Sequence, residues 1–221
     1  MLEIVPLPAF KDNYIWTLRD GGNAAVVDPG EAGPVREYLA REKLSLVAIL
    51  ATHHHPDHVG GIAELVAAKK LPVFGPKGEP IPSLTHPVGQ DDRVDIPEIG
   101  ARFSVLDIPG HTRAHVAYYG LGSLFCGDTL FACGCGRVFE GTPAQMLASL
   151  QKLAAREARA ARLREAGKPT LPSTLGEERA TNPFLRCAEP AVIDSANKYL
   201  GARAADPARV FAAIREWKNK F

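Results

Sequence analysis

Short apolar runs separated by turn residues organise the first part of this chain. Residues 2–7 read as a strand that meets Pro6 and Pro8, residues 14–18 as a second and residues 24–27 as a third. Asp20-Gly21-Gly22-Asn23 forms a hairpin turn between the last two, and Asp28-Pro29-Gly30 closes the third, with Asp28 read as a turn former. From Pro34 to about Lys43, Val35, Tyr38 and Leu39 recur on one helical face. Residues 46–50 form a buried-strand candidate, and 60–70 a helix with Ile62, Leu65 and Val66 as its apolar stripe. Residues 71–74 are a further strand, and 75–92 a Pro- and Gly-rich connection. Residues 103–108, 116–119 and 123–126 complete the strands, the last two as a hairpin around Gly120-Leu121-Gly122. Two β-rich halves, each with helices, predict an α+β fold in which stacked sheets are covered by helices, an αββα sandwich. Beyond them, residues 144–153 run directly into 154–166, whose Ala, Arg, Glu and Leu favour one long helix from about Pro143 to Ala166.

Bulk properties narrow the class without naming it. A chain of 221 residues can bury a real core, and 46% hydrophobic with 23% charged residues is ordinary for a globular protein. A net charge of +1 gives no general attraction to nucleic acid or acidic membranes, so neither is expected as a partner. No apolar run approaches a membrane span, and the first residues lack a signal peptide's basic start and apolar core. Four cysteines are too few for a disulfide scaffold, which makes a reducing cytoplasm the expectation.

The chemistry concentrates in Thr52-His53-His54-His55-Pro56-Asp57-His58, between a predicted strand and Gly60-Gly61. Imidazole and carboxylate together suit zinc, and also iron or manganese. Neighbours in an extended chain face opposite ways, so His53 and His55 can serve one ion while His54 points away and Asp57 and His58 reach another. His111 and Asp128 each sit just past a predicted strand, where loops collect and carry function. Alone, His111 reads as a surface imidazole and Asp128 as a turn. Beside the opening motif they become two further ligands. His115 reads as packing or support for a ligand, and His86 as loop. Cys133-Gly134-Cys135 lacks structural-zinc spacing and reads as a bend.

With Pro109-Gly110-His111-Thr112 and Gly127-Asp128-Thr129-Leu130-Phe131, the histidine motif resembles the signature of the metallo-β-lactamase fold. Within it, Asp12-Asn13-Tyr14-Ile15-Trp16, Gly134-Cys135-Gly136-Arg137 and Glu140-Gly141-Thr142 are similar to glyoxalase II, hydroxyacylglutathione hydrolase. So are Pro169-Thr170-Leu171-Pro172-Ser173-Thr174-Leu175, Thr181-Asn182-Pro183-Phe184-Leu185-Arg186 and the ending Arg215-Glu216-Trp217-Lys218-Asn219-Lys220-Phe221. The resemblance implies a metal-binding domain over 1–142 and a helical C-terminal region over 143–221. It implies that His53, His55 and His111 hold one metal, that Asp57 and His58 belong to a second, and that Asp128 bridges both. Arg137, Arg215 and Lys218 match residues that contact the glutathione part of the substrate. The spacing of the last two puts both cations on one helix face, although cations at a helix end are favoured without any ligand. Phe139 stands where many relatives carry a glutathione-binding tyrosine. The implied activity is hydrolysis of S-lactoylglutathione to lactate and glutathione by a metal-bound hydroxide, with Asp57 holding or relaying its proton and no cysteine nucleophile.

The chain also departs from that pattern. Relatives carry, before the 169–175 segment, a strand ending in Gly-His-Glu-Tyr-Thr whose histidine completes the second metal site. Here residues 147–168 contain no histidine, and the last in the chain is His115. The second site is expected to bind weakly, and a missing strand and helix to leave an exposed edge. A shortened relative, natural or engineered and dimeric through exchanged elements, is the expectation. An intact mass well above 23.8 kDa would instead show that the molecule carries further residues. Two other functions compete: a catalytically impaired form that keeps the fold and first site, and a mononuclear iron dioxygenase of persulfides using His53, His55, His111 and Asp128.

Overall fold

The computed structural model describes residues 2–67, 69–164 and 175–220, which fall into two units. The first comprises Met1–Asp107 and Ala114–Gly127. It runs β1 (Glu3–Ala9), β2 (Asn13–Asp20), β3 (Asn23–Val27), α1 (Ala32–Glu42), β4 (Ser45–Leu50), α2 (Pro56–Val59), α3 (Ile62–Ala67), β5 (Val73–Pro76), β6 (His86–Val88), β7 (Arg93–Ile96), β8 (Ala101–Asp107), β9 (Val116–Gly120) and β10 (Ser123–Phe125). Strands β1 to β6 form one sheet in chain order, antiparallel from β1 to β3 and parallel from β3 to β6. A second, antiparallel sheet has the order β10-β9-β8-β7.

Period-two alternation divides the first sheet's side chains between two cores. Ala25 and Val27 of β3 and Ala48 and Leu50 of β4 face Val94, Phe103, Val105, Val116 and Tyr118 of the second sheet. Val26 and Ile49, on the opposite face, pack with Val35 and Tyr38 of α1 and with Ile62 and Leu65 of α3. Both faces of β4 are therefore covered, which is why its sequence is a continuous apolar run rather than an alternating one.

Two strands joined in parallel need a crossover, and α1 supplies it between β3 and β4. The carboxyl ends of β3 and β4 consequently reach the same edge of the sheet, and Asp28 N–H donates to Leu50 O at 2.9 Å.

Several boundaries differ from expectation. The helix expected from Pro34 begins at Ala32, because a proline is tolerated anywhere in a first turn whose N–H groups lack partners. The helix expected over 60–70 is the shorter α3, which begins only after Gly60-Gly61; a separate four-residue helix, α2, precedes those glycines. His86, expected in a loop, begins the three-residue strand β6, which pairs in parallel with β5.

The second unit comprises Ile108–Arg113 and Asp128–Phe221. It contains a small hairpin, β11 (Leu130–Phe131) with β12 (Gly134–Cys135), then α4 (Pro143–Arg164), α5 (Leu175–Thr181), a 3-10 turn at Pro183–Leu185, α6 (Pro190–Leu200) and α7 (Pro207–Lys218). Met146 and Leu150 of α4, Phe184, Ala196 of α6 and Phe211 of α7 share its core. The long helix expected to Ala166 is present through Arg164. Residues 165–166 and most of the Pro169–Leu175 motif lie outside the described residues. The whole is an α+β sandwich with C-terminal helices. No helix among the described residues is long and apolar enough to cross a membrane.

Candidate metal centre

The histidine motif hangs from the end of β4, and Asp28 at the end of β3 organises it. Buried Asp28 accepts the Thr52 N–H at 2.7 Å on Oδ1 and the Thr52 hydroxyl at 2.8 Å on Oδ2. The same Oδ2 lies 3.0 Å from His58 Nδ1. A carboxylate only accepts, so a neutral His58 carries its proton on Nδ1 and its lone pair on Nε2. His53 follows by the same logic. The Thr52 hydroxyl gives its proton to Asp28, so Thr52 Oγ1, 3.0 Å from His53 Nδ1, accepts from it. The lone pair of His53 is therefore also on Nε2, the state of a metal-ligating imidazole oriented from behind.

Pro56 keeps His55 extended (φ −63°, ψ 143°) and opens α2, whose first turn carries Asp57 and His58. Ligand atoms of His53 and His55 lie within 4.8 Å of each other, as do those of His53 and His58. His58 Nε2 is 3.5 Å from Asp57 Oδ2, and Asn13 Nδ2 donates to that oxygen at 2.9 Å. His54 turns to Glu79, with Nδ1 3.0 Å from Oε2. His115 is fully buried and stacks on His53 with ring centroids 4.5 Å apart.

In the second unit, His111 is buried, and its Nδ1 lies 2.7 Å from the Arg137 carbonyl. A carbonyl cannot donate, so His111 too is left with its Nε2 lone pair, 3.4 Å from Asp128 Oδ2. The His111 carbonyl receives the N–H groups of Phe139 and Glu140 at 3.3 Å each. These loops close over Gly136, where a Cβ would lie 1.8 Å from the Asp128 carbonyl oxygen; only glycine fits. The Arg137 side chain is exposed, and the Phe139 ring, 60% exposed, lies 5.3 Å from that of His111.

The C-terminal motifs grip the β11–β12 hairpin. Glu178, buried in α5, accepts the Cys133 N–H and the Asn182 amide at 2.8 Å each. Asn182 Nδ2 also donates to Gly134 O at 3.0 Å, and its Oδ1 accepts the Phe184 N–H. From α7, Arg215 donates to the Cys135 carbonyl at 2.9 Å and to Asn219 Oδ1 at 2.7 Å. Arg215 and exposed Lys218 share a helix face, with their cationic groups 5.6 and 5.7 Å from the Phe184 ring centroid. Arg215 is thus largely buried and bonded within the protein, while the Lys218 ammonium stands at the surface. Burial pushes the Cys135 thiol up despite Arg215 nearby, and pushes Cys187 up to about 12, which disqualifies both as nucleophiles near neutral pH.

Two contributors escaped the sequence reading. Asp28 makes the turn ascribed to it, with φ 53°, but its carboxylate also orients His58 and, through Thr52, His53. The signal that could have found it is the strand–helix–strand order of β3, α1 and β4, which brings an Asp at one strand end beside the motif at the next. Asn13, conspicuous in the sequence only as part of a motif, touches Asp57.

Residues 10–168 match the model of the metallo-β-lactamase superfamily, and residues 144–221 that of the hydroxyacylglutathione hydrolase C-terminus. A hydroxyacylglutathione hydrolase of Nitrosomonas eutropha is 49% identical, with all of this chain and all of that protein covered. One from Methylobacillus flagellatus is 51% identical, again with both chains fully covered. The former alignment extends over 254 positions against the 221 residues here, so 33 of its positions face no residue of this chain. Among solved structures, TTHA1623 in a di-iron-bound form is 29% identical, with a TM-score of 0.64 over 82% of this chain and 100% of that one.

Proposed function

Because the chain belongs to the hydroxyacylglutathione hydrolase family of the metallo-β-lactamase superfamily, we propose that it hydrolyses glutathione thioesters, taking S-lactoylglutathione to lactate and glutathione. One observation carries the metal dependence: His53, His58 and His111 each have Nδ1 engaged by an oxygen, which turns the lone pair of a neutral ring to Nε2. In this reading His53, His55 and His111 hold one ion, Asp57 and His58 belong to a second, and Asp128 serves both. When bound, the metal lowers the pKa of water towards neutrality and polarises the thioester carbonyl.

The chain's own residues supply the rest. Asp57 takes the proton of the attacking water on its carboxylate and returns it to the departing thiolate as the C–S bond breaks. Asp28 keeps His58 and Thr52 in place while that happens. Of the three cations that the resemblance marks, exposed Arg137 and Lys218 offer donors to the carboxylates of glutathione, whereas buried Arg215 spends its guanidinium on Cys135 and Asn219 and acts by holding the hairpin beside them. Phe139 offers a ring face there, without the hydroxyl of a tyrosine.

Zinc is the proposed ion. Iron and manganese suit the same donors, and the di-iron form of the structural neighbour keeps iron in view. With no histidine after His115, the ion at Asp57 and His58 is the weakly held one. We assign residues 1–142 to the metal-binding domain and 143–221 to the helical C-terminal region. A cytoplasmic setting accords with a cysteine count of four, too few for a disulfide scaffold, and a dimer through exchanged elements with the long helix α4.

Metal analysis combined with a thiol-release assay on S-lactoylglutathione tests the proposal. Zinc-dependent thiol release supports it. One iron with oxygen consumption on a persulfide would favour the dioxygenase, and a metal-loaded chain without turnover an impaired form.

A further inference from the structure

We propose that Asn13 is a positioning residue of this centre: its side-chain amide holds the Asp57 carboxylate in the orientation that meets an ion shared with His58. The proposal rests on Asp57 being a ligand, as above. Asn13 Nδ2 lies 2.9 Å from Asp57 Oδ2 and 3.4 Å from the Asp57 carbonyl oxygen. Both neighbours only accept, so the nitrogen must face them; the flipped amide would set oxygen against oxygen.

Asp57 needs such a hold. Its side chain is 45% exposed, and it sits on a helix of four residues, so packing does little to choose its rotamer. The same Oδ2 is 3.5 Å from His58 Nε2, so the amide bonds the carboxylate oxygen that stands beside the neighbouring ligand atom.

Asn13 is itself fixed. It is the first residue of β2, paired across the hairpin with Ala9. The intervening turn is pinned where the Phe10 N–H donates to Glu31 Oε2 at 2.8 Å. Beneath it, a Cβ on Gly30 would lie 2.0 Å from the Asp57 carbonyl oxygen and 2.8 Å from the Phe10 ring. The turn bearing Asn13, the turn after β3 and the start of α2 therefore meet over a glycine, and Asn13 reaches Asp57 from a rigid base. An amide also does not titrate, so the donor is present at every working pH.

The test is competition for Zn2+ against a chromophoric chelator, on the full chain, for wild type, Asn13→Ala, Asn13→Asp, Asp57→Ala and the Asn13→Ala/Asp57→Ala double variant. Asn13→Ala should weaken the less tightly held zinc about 10- to 100-fold, the usual effect of removing a ligand's hydrogen-bond partner. Asn13→Asp, which keeps the shape and opposes two carboxylates, should weaken it at least as much. With Asp57 already removed, Asn13→Ala should change zinc affinity less than about twofold. Wild-type affinity in either single Asn13 variant, or the same loss with and without Asp57, would overturn the proposal. Turnover of S-lactoylglutathione is followed in parallel. Its absence in wild type would count against the thioesterase reading, while the zinc affinities still decide the role of Asn13.

Discussion

Asp28 carries more of this centre than its turn-forming character suggests. It takes three hydrogen-bond donors on one buried carboxylate, and two of these set the tautomers of His53 and His58. Asp28→Asn would put an amide where two donors converge and should weaken zinc binding about 10- to 100-fold in chelator competition. Loss confined to stability, with affinity intact, would remove it from the centre. The proposed ligands were legible in sequence because their types and spacing are chemical signals. Asp28 and Asn13 were not, because an Asp after a strand and an Asn beside a turn occur for local reasons alone. The thiols make a second prediction at this scale. Cys133 is exposed, whereas burial raises Cys135 and takes Cys187 to about 12. A native-state titration with a thiol reagent at pH 8 should modify Cys133 rapidly and Cys135 and Cys187 only on unfolding. The Cys187 thiol is protonated at that pH and ionises only as pH rises towards 12.

At the level of elements, the hairpin between Asp128 and Arg137 is held from the C-terminal side. Asn182 bonds Gly134 and Glu178, Glu178 bonds Cys133, and Arg215 bonds Cys135. Asn182→Ala leaves several buried partners unsatisfied and should cost about 1–3 kcal/mol of stability by denaturant unfolding. If Arg137 and His111 depend on this hairpin, KM for the thioester should rise as well. An unchanged KM would confine Asn182 to the fold. The reading of elements from sequence succeeded where periodicity or turn chemistry is strong, as in the strands around Gly21-Gly22 and the long helix α4. It missed β6 and β7, strands of three and four residues, because pieces that short acquire their structure from neighbouring strands rather than from their own pattern. The 3.6-residue pattern over 60–70 was real in its apolar positions, yet the helix starts only after Gly60-Gly61.

On the proposed ligand assignment, the second ion has only Asp57, His58 and the shared Asp128, because no histidine follows His115. Stepwise dialysis against a chelator should therefore remove one zinc well before the other, with most turnover lost at the first step if both ions take part. Simultaneous release would mean that solvent or another residue fills the missing place. Sedimentation at several concentrations decides whether the chain is the expected dimer. The central claim, metal-dependent hydrolysis of a glutathione thioester, is tested most directly by thiol release from S-lactoylglutathione before chelation, after chelation and after zinc is restored. Turnover that disappears with the metal and returns with it is the predicted result. A fully zinc-loaded chain that releases no thiol, or turnover that survives complete removal of metal, would contradict it.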